Sequence, residues 1–190
     1  MDEIFKTHKA KLVFHQDNLW LIDFSREDGS PYDSMRFYVD TDRSSLHIEG
    51  DLGDCIACWY GKNTLQSLSS FMFNYYYFIE KMQCTSNKYK WDYDLALEDL
   101  KKESQEWYEE HVGFDATEDD YNDHINNIMD SFLDYCGLTL WSRDARDSYE
   151  ELFGYIEGVE WLGRRIDERV KLWAEALDLA LTQLGIKKDK

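Results

Sequence analysis

The sequence predicts an α+β fold: an N-terminal antiparallel sheet of four or five strands packed by helices, an acidic helical region and a long C-terminal helix. Three observations predict it. Apolar residues alternate with period two up to Tyr60, the period becomes helical after Gly61, and turn-forming residues fall between the runs. The 190 residues fit a single domain, 1–190, with a sheet part at 1–62 and a helical part at 63–190. A chain of this length buries a real core. It carries 13 Tyr, 10 Phe and 7 Trp, an aromatic content foreign to disordered segments.

The strands come first. Leu12 and Phe14 alternate with Val13 and His15, and Leu19 to Phe24 is a second β-rich run. Asp28-Gly29-Ser30-Pro31 is a turn cluster. Met35, Phe37 and Val39 then alternate with Arg36, Tyr38 and Asp40, as do Leu46 and Ile48 with His47 and Glu49, the pattern of half-buried strands. Gly50-Asp51-Leu52-Gly53 forms a tight turn. Cys55 to Tyr60 is almost wholly apolar, which predicts a strand buried on both faces.

Helices follow. Leu65, Leu68, Phe71, Met72, Tyr75 and Ile79 share one helical face, and Thr85 to Lys90 is a polar link. Tyr93, Leu97, Leu100, Ser104 and Trp107 form the buried stripe of a first acidic helix. Thr117 is the expected N-cap of a second, with Asp120 closing a capping box and Gly137 as its C-terminal cap. Tyr121, Ile125, Ile128, Phe132 and Tyr135 are its core stripe, so Trp107 and Tyr121 fall to the core rather than to a contact surface. From Tyr149 an apolar series steps 3,4,3,4 through Leu152, Ile156, Val159, Gly163, Ile166, Val170, Trp173, Leu177 and Ala180 to Leu184, a heptad seam. It predicts one long helix, or one kinked around Gly158–Gly163.

The formal net charge is −18, and its distribution is uneven. Residues 91–160 hold 21 Asp and Glu against 4 Lys and Arg, a net of −17, while 1–90 carry −3 and 161–190 carry +2. Such a block favours positively charged partners and repels nucleic acid and anionic membrane. No apolar run reaches the ~20 residues of a membrane span. Met1 to Lys6 has no apolar leader segment, and a cytoplasmic location is the expectation.

Within the block the carboxylates form ladders. Asp99, Glu103, Glu106 and Glu110 follow at steps of 4, 3 and 4, and Asp119, Asp123, Asp130 and Asp134 at steps of 4, 7 and 4. Like charges so spaced on a helix repel by a few tenths of a kcal/mol per pair. A helix shaped for solubility alone would interleave lysines, yet the first has only Lys101 and Lys102 and the second has no Lys or Arg. Two readings fit. The ladders are a solvated outer face, or they imitate a phosphate backbone and bind a basic cleft in a salt-dependent way.

Other chemistry is thinly represented. Cys55 and Cys58 form a lone C-x-x-C whose members face opposite sides of a strand, and Cys84 and Cys136 are isolated. Free buried thiols are expected, with no metal and no cofactor. His47, Glu49 and Asp51 on one strand and its turn are the acid–base candidates. No nucleophile elbow, phosphate-binding Gly-rich loop or H-E-x-x-H pattern occurs. Asp115 to Asp120 lacks the central Gly and terminal Glu of a calcium loop and reads as a helix start.

The stretch from Met35 to about Leu100 resembles a group of small bacteriophage and prophage proteins with a strand–G-D-x-G–strand–aromatic-helix pattern. The residues that carry the resemblance are Leu46 to Gly53 around Gly50-Asp51-Leu52-Gly53, then Cys58-Trp59-Tyr60, Phe71 to Phe78, and Tyr93 to Leu97. Cys-Ile-Ala-Cys departs from that pattern, and no functional residue transfers. What the resemblance implies is phage origin and a non-catalytic role against host defence, with anti-CRISPR DNA mimics as the comparison. The expectation is therefore an inhibitor whose acidic helices fill the nucleic-acid channel of a basic host protein, a CRISPR–Cas effector foremost. A homo-oligomeric phage structural protein held by the heptad seam, for instance a homodimer, is the alternative. A nucleic-acid or nucleotide hydrolase using His47, Glu49 and Asp51 is the second alternative.

Overall fold

The computed structural model describes residues 3–85, 88–133, 137–138, 142–154 and 162–187. They form two compact units, one drawn from Met1–Lys88 and Asp167–Lys190, the other from Tyr89–Ile166. The class is α+β, with seven α-helices and a six-stranded antiparallel sheet among the described residues.

In the first unit the sheet is a meander of β1 (His8–Gln16), β2 (Leu19–Arg26), β3 (Met35–Asp40), β4 (Ser45–Gly50), β5 (Cys55–Cys58) and β6 (Met82–Thr85), paired in that order. The alternation read in the sequence becomes its inner face. Ile22, Phe24, Met35, Phe37, Val39, Leu46, Ile48, Cys55 and Ala57 are all buried. Gly50 is required at the end of β4. Its φ is +150°, and a Cβ there would overlap the carbonyl oxygen of Ser34.

The sheet has six strands, not four or five. The sequence does not show the strand Met82–Thr85 and places Thr85 at the start of a polar link. The strand pairs with β5, placing Cys84 opposite Ile56. A free sheet edge supplies hydrogen bonds that four residues cannot advertise locally. Nor is β5 buried on both faces, since Ile56 remains 39% exposed while Cys55 and Ala57 are enclosed.

Two helices, α1 (Leu65–Met72) and α2 (Tyr75–Lys81), join β5 to β6 where one was expected. The break falls at Asn74, whose side chain accepts the N–H of Tyr77 and starts the second helix. Trp59 stacks on Phe78 with ring centroids 5.9 Å apart. The last helix, α7 (Glu168–Gln183), packs on α1, α2, β1 and β2, and buries Val170, Trp173, Ala174, Ala176, Leu177, Ala180 and Leu181.

The second unit holds β7 (Tyr89–Trp91), α3 (Tyr93–Glu103), α4 (Gln105–His111), α5 (Glu118–Met129), the short strands β8 (Phe132–Leu133) and β9 (Gly137–Leu138), α6 (Arg143–Phe153) and β10 (Arg164–Ile166), which pairs with β7. Ala96, Leu100, Tyr121, Ile125, Ile128, Met129, Phe132, Tyr149, Leu152 and Leu162 form its core. The first acidic helix is thus two pieces. Ser104 ends α3 with its hydroxyl on the Leu100 carbonyl at 2.8 Å and 2.9 Å from the Tyr121 hydroxyl. The hydroxyl shares the Leu100 carbonyl with the Ser104 N–H at the break between α3 and α4. Gly137 is not a helix cap. Asp130 caps α5, and Gly137 lies in β9.

The heptad seam is not one helix, kinked or straight. Helix α6 stops at Gly154, which takes φ +69°, and Ile166 lies in a strand before Asp167 caps α7. Ile156, Gly158 and Val159 lie outside the described residues. The 3,4 spacing survives the interruption because both flanking helices need apolar residues at their own core faces.

Candidate partner-binding surface

The acidic section of the sequence becomes nearly the whole second unit. Residues 89–166 hold 21 acidic and 7 basic side chains, a net of −14. Helix α5 starts at Thr117, whose hydroxyl oxygen accepts the Asp120 N–H at 3.2 Å while the Asp120 carboxylate accepts the Thr117 N–H at 2.8 Å. The capping box is formed as the spacing requires. The Thr117 hydroxyl also donates to the Asp120 carboxylate at 2.7 Å, and this bond together with the one from the Thr117 N–H holds the Asp120 carboxyl below its ordinary pKa. With Tyr121, Ile125 and Ile128 turned inward, Asp119, Asp123 and Asp130 are left exposed.

Glu103 at the end of α3, and Glu106 and Glu110 on α4, are likewise exposed. No Lys, Arg or His among the described residues lies within ion-pair distance of these three or of Asp119, Asp123 and Asp130. Asp99 differs. It is half-buried and accepts the backbone N–H of Gly163 at 3.0 Å, so its place is structural. Asp134 lies outside the described residues.

The sequence shows Asp144, Asp147, Glu150 and Glu151 as an acidic group at the entry of the last apolar series, but not the groove that three of them help to form. Asp144, Asp147 and Glu151 on α6 join Asp120, Asp123, His124, Asn127 and Ser148 of α5 and α6 in lining an open groove of about 440 Å³. Asn127 donates to the Ser148 hydroxyl at 3.1 Å and ties the two helices beneath it. Steps of 3 and 4 between 144, 147 and 151 are the signal, legible once α6 packs beside α5. Arg143 lies 3.7 Å from Asp147. Phe114, in the turn between α4 and α5, is 87% exposed.

The acid–base trio does not converge. His47 stacks on Tyr38 with centroids 5.2 Å apart. Glu49 accepts the Tyr38 hydroxyl at 2.7 Å and lies 3.7 Å from Arg36. Asp51 turns to a loop and accepts the Asp33 N–H at 3.0 Å.

The thiols also divide, and not all are buried. Cys55 is buried, Cys58 half-buried and Cys84 exposed, while Cys136 lies outside the described residues. Among the described residues, no three His, Cys, Asp or Glu side chains converge as metal ligands. None of the described helices is long and apolar enough to cross a membrane. Comparison with protein-family models, with curated proteins and with solved structures gave no match.

Proposed function

We propose that this chain inhibits another protein by docking its acidic helices into a positively charged channel that normally receives DNA or RNA. The observation that carries the reading is the set of six exposed carboxylates, Glu103, Glu106, Glu110, Asp119, Asp123 and Asp130, without a cation in reach among the described residues. Concentrating like charge on two neighbouring helices costs stability. A basic channel repays that cost by supplying the missing cations, and steers association over the distance of the field. Phe114, in the turn between α4 and α5, offers an exposed aromatic anchor, the kind of residue that dominates interface energetics.

Phage origin, drawn from the resemblance, makes a nucleic-acid-binding host-defence enzyme the partner to test first, and a CRISPR–Cas effector the first of those. The rival readings have less in their favour. The seam residues Val170, Trp173, Leu177 and Ala180 are buried inside the first unit, where they cannot also join two copies. His47, Glu49 and Asp51 are engaged with separate neighbours.

The test is a pull-down from host lysate with the tagged full chain at 50 mM and 500 mM salt. The expected catch is a basic nucleic-acid-binding protein, lost at high salt and displaced by DNA or RNA. Recovery of capsid or tail proteins alone, or binding indifferent to salt, overturns the reading.

A further inference from the structure

His8 is the first residue of β1, and its side chain is enclosed, with 1% of the residue exposed. The ring meets Phe5 edge-on at 5.3 Å between centroids and leans on Phe24 at 5.2 Å. Neither ring nitrogen has a hydrogen-bond partner. A buried polar group in that condition is an exception to the rule of satisfied interiors.

The charged groups that face the ring are Arg26 and Asp33. Arg26 stands opposite His8 in the β1–β2 register and holds the Asp33 carboxylate at 2.7 Å. The carbonyl groups of Tyr32 and Asp33 are turned toward the ring without completing a hydrogen bond. From the 3-10 turn Glu3–Phe5, the group in ring contact is the apolar Phe5. From α7 it is neutral Gln183, which bonds the backbone and not the ring. Burial and then the Arg26 charge press the His8 pKa below 6.5, and Asp33 offsets only part of this.

The backbone beside His8 lies on the edge of the sheet. There the Gln183 amide takes the place of a further strand: its nitrogen donates to the His8 carbonyl at 3.0 Å and its oxygen accepts the Ala10 N–H at 2.8 Å. The rest of the edge, with Leu12, Val13 and Phe14, is exposed.

We propose that His8 is a pH-sensitive pin: its neutral ring holds the segment Glu3–Ala10 against the core, and its protonation releases that segment and opens the edge of β1 that Gln183 closes. An imidazolium there is poorly solvated, sits beside a guanidinium and finds its one carboxylate already engaged, and the Tyr32 and Asp33 carbonyls offset only part of that cost. The released length then extends the exposed Leu12–Phe14 stretch into a longer open strand edge, a template for pairing. A His whose pKa is lowered in the folded state gives its full contribution above about pH 6.5, and that contribution falls away as pH drops below it.

Amide hydrogen exchange on the full chain at pH 7.5 and pH 5.5, corrected for the intrinsic rates, tests this. The local opening equilibrium of the Ala10 amide is expected to rise between these pH values, by at most about tenfold, the limit for an open state of ordinary His pKa. The Phe37 amide of the central strand β3 is expected to hold its protection. In His8→Phe, the Ala10 amide is expected to lose this pH dependence. Unchanged Ala10 protection in the parent chain, or the same change in H8F, overturns the proposal. Should H8F fail to fold, the ring resonances of His8 in the parent chain decide. Titration below pH 6.5 together with the Ala10 change supports the pin. Titration at 6.5 or above, or with Ala10 still protected, overturns it.

Discussion

The carboxylate of Asp99 accepts the backbone N–H of Gly163 at 3.0 Å, and the Gly163 carbonyl in turn accepts the Asp92 N–H at 3.0 Å. Gly163 thereby closes against the first turn of α3. It takes φ +63°, and a Cβ there would overlap the Asp92 carbonyl oxygen and stand 2.7 Å from the Ala96 Cβ. Left-handed backbone and overlap act together, so Gly163→Ala is expected to destabilise the second unit by about 2–4 kcal/mol. Asp99→Asn keeps an acceptor oxygen and is expected to cost about 1 kcal/mol or less. Urea unfolding followed by amide exchange in α3 and α5 measures both. A neutral Gly163→Ala would show that this close approach does not hold the unit together.

The capping box at Thr117 gives a second expectation. Thr117→Ala removes the acceptor for the Asp120 N–H and is expected to cost about 1 kcal/mol of helix stability. The Asp120 carboxyl has its pKa lowered by bonds from the Thr117 hydroxyl and N–H. A lowered carboxylate contributes above its ordinary value and loses that contribution as pH falls through the folded one. Fraying of the first turn of α5 is therefore expected to begin near pH 4 and to deepen below it. In Thr117→Ala the Asp120 resonance should titrate closer to the ordinary Asp value, and an unmoved titration would deny the coupling.

Local signals carried much of this architecture. The alternation of Met35 to Val39 with its polar partners became β3, and Thr117 with Asp120 started α5 where the spacing placed it. Non-local ones did not reach the sequence level. Met82–Thr85 is a strand because β5 offers it an edge. The 3,4 apolar steps from Tyr149 to Leu184 ran through a strand and a left-handed glycine, because Leu152 and Val170 serve cores of different units. Ser104 kept the helical stripe in register while the boundary between α3 and α4 falls on it. For the candidate surface, composition located the acids on α4 and α5. Asp144, Asp147 and Glu151 joined them only through the packing of α6 on α5.

The cysteines lead to a chemical test. Burial, with the nearby Asp54 carboxylate adding to it, pushes the Cys55 thiol up to about 12. Its thiolate fraction at pH 8 is then roughly a thousandfold below that of an ordinary thiol. Cys84 is exposed on β6. Iodoacetamide at pH 8, followed by peptide mapping, is expected to modify Cys84 first and to leave Cys55 untouched until denaturant is added. Comparable rates at the two sites would mean that β5 and β6 separate readily in solution.

Charge reversal separates a binding surface from a merely solvated one. Asp119 and Asp123 lie four residues apart on α5, as do Glu106 and Glu110 on α4, so replacing one member of each pair with Lys turns a repulsion into an attraction of a few tenths of a kcal/mol. The double variant Glu110→Lys/Asp123→Lys is expected to unfold at the same or slightly higher denaturant concentration. If the surface fills a basic channel, the same variant loses affinity for the captured partner and flattens its salt dependence, because fewer charges are exchanged on binding. Phe114→Ala is expected to weaken binding at every salt concentration without changing that slope, since an aromatic anchor acts through apolar burial. Parent-like affinity and slope in the charge-reversed chain, with stability intact, would place the contact elsewhere on the molecule.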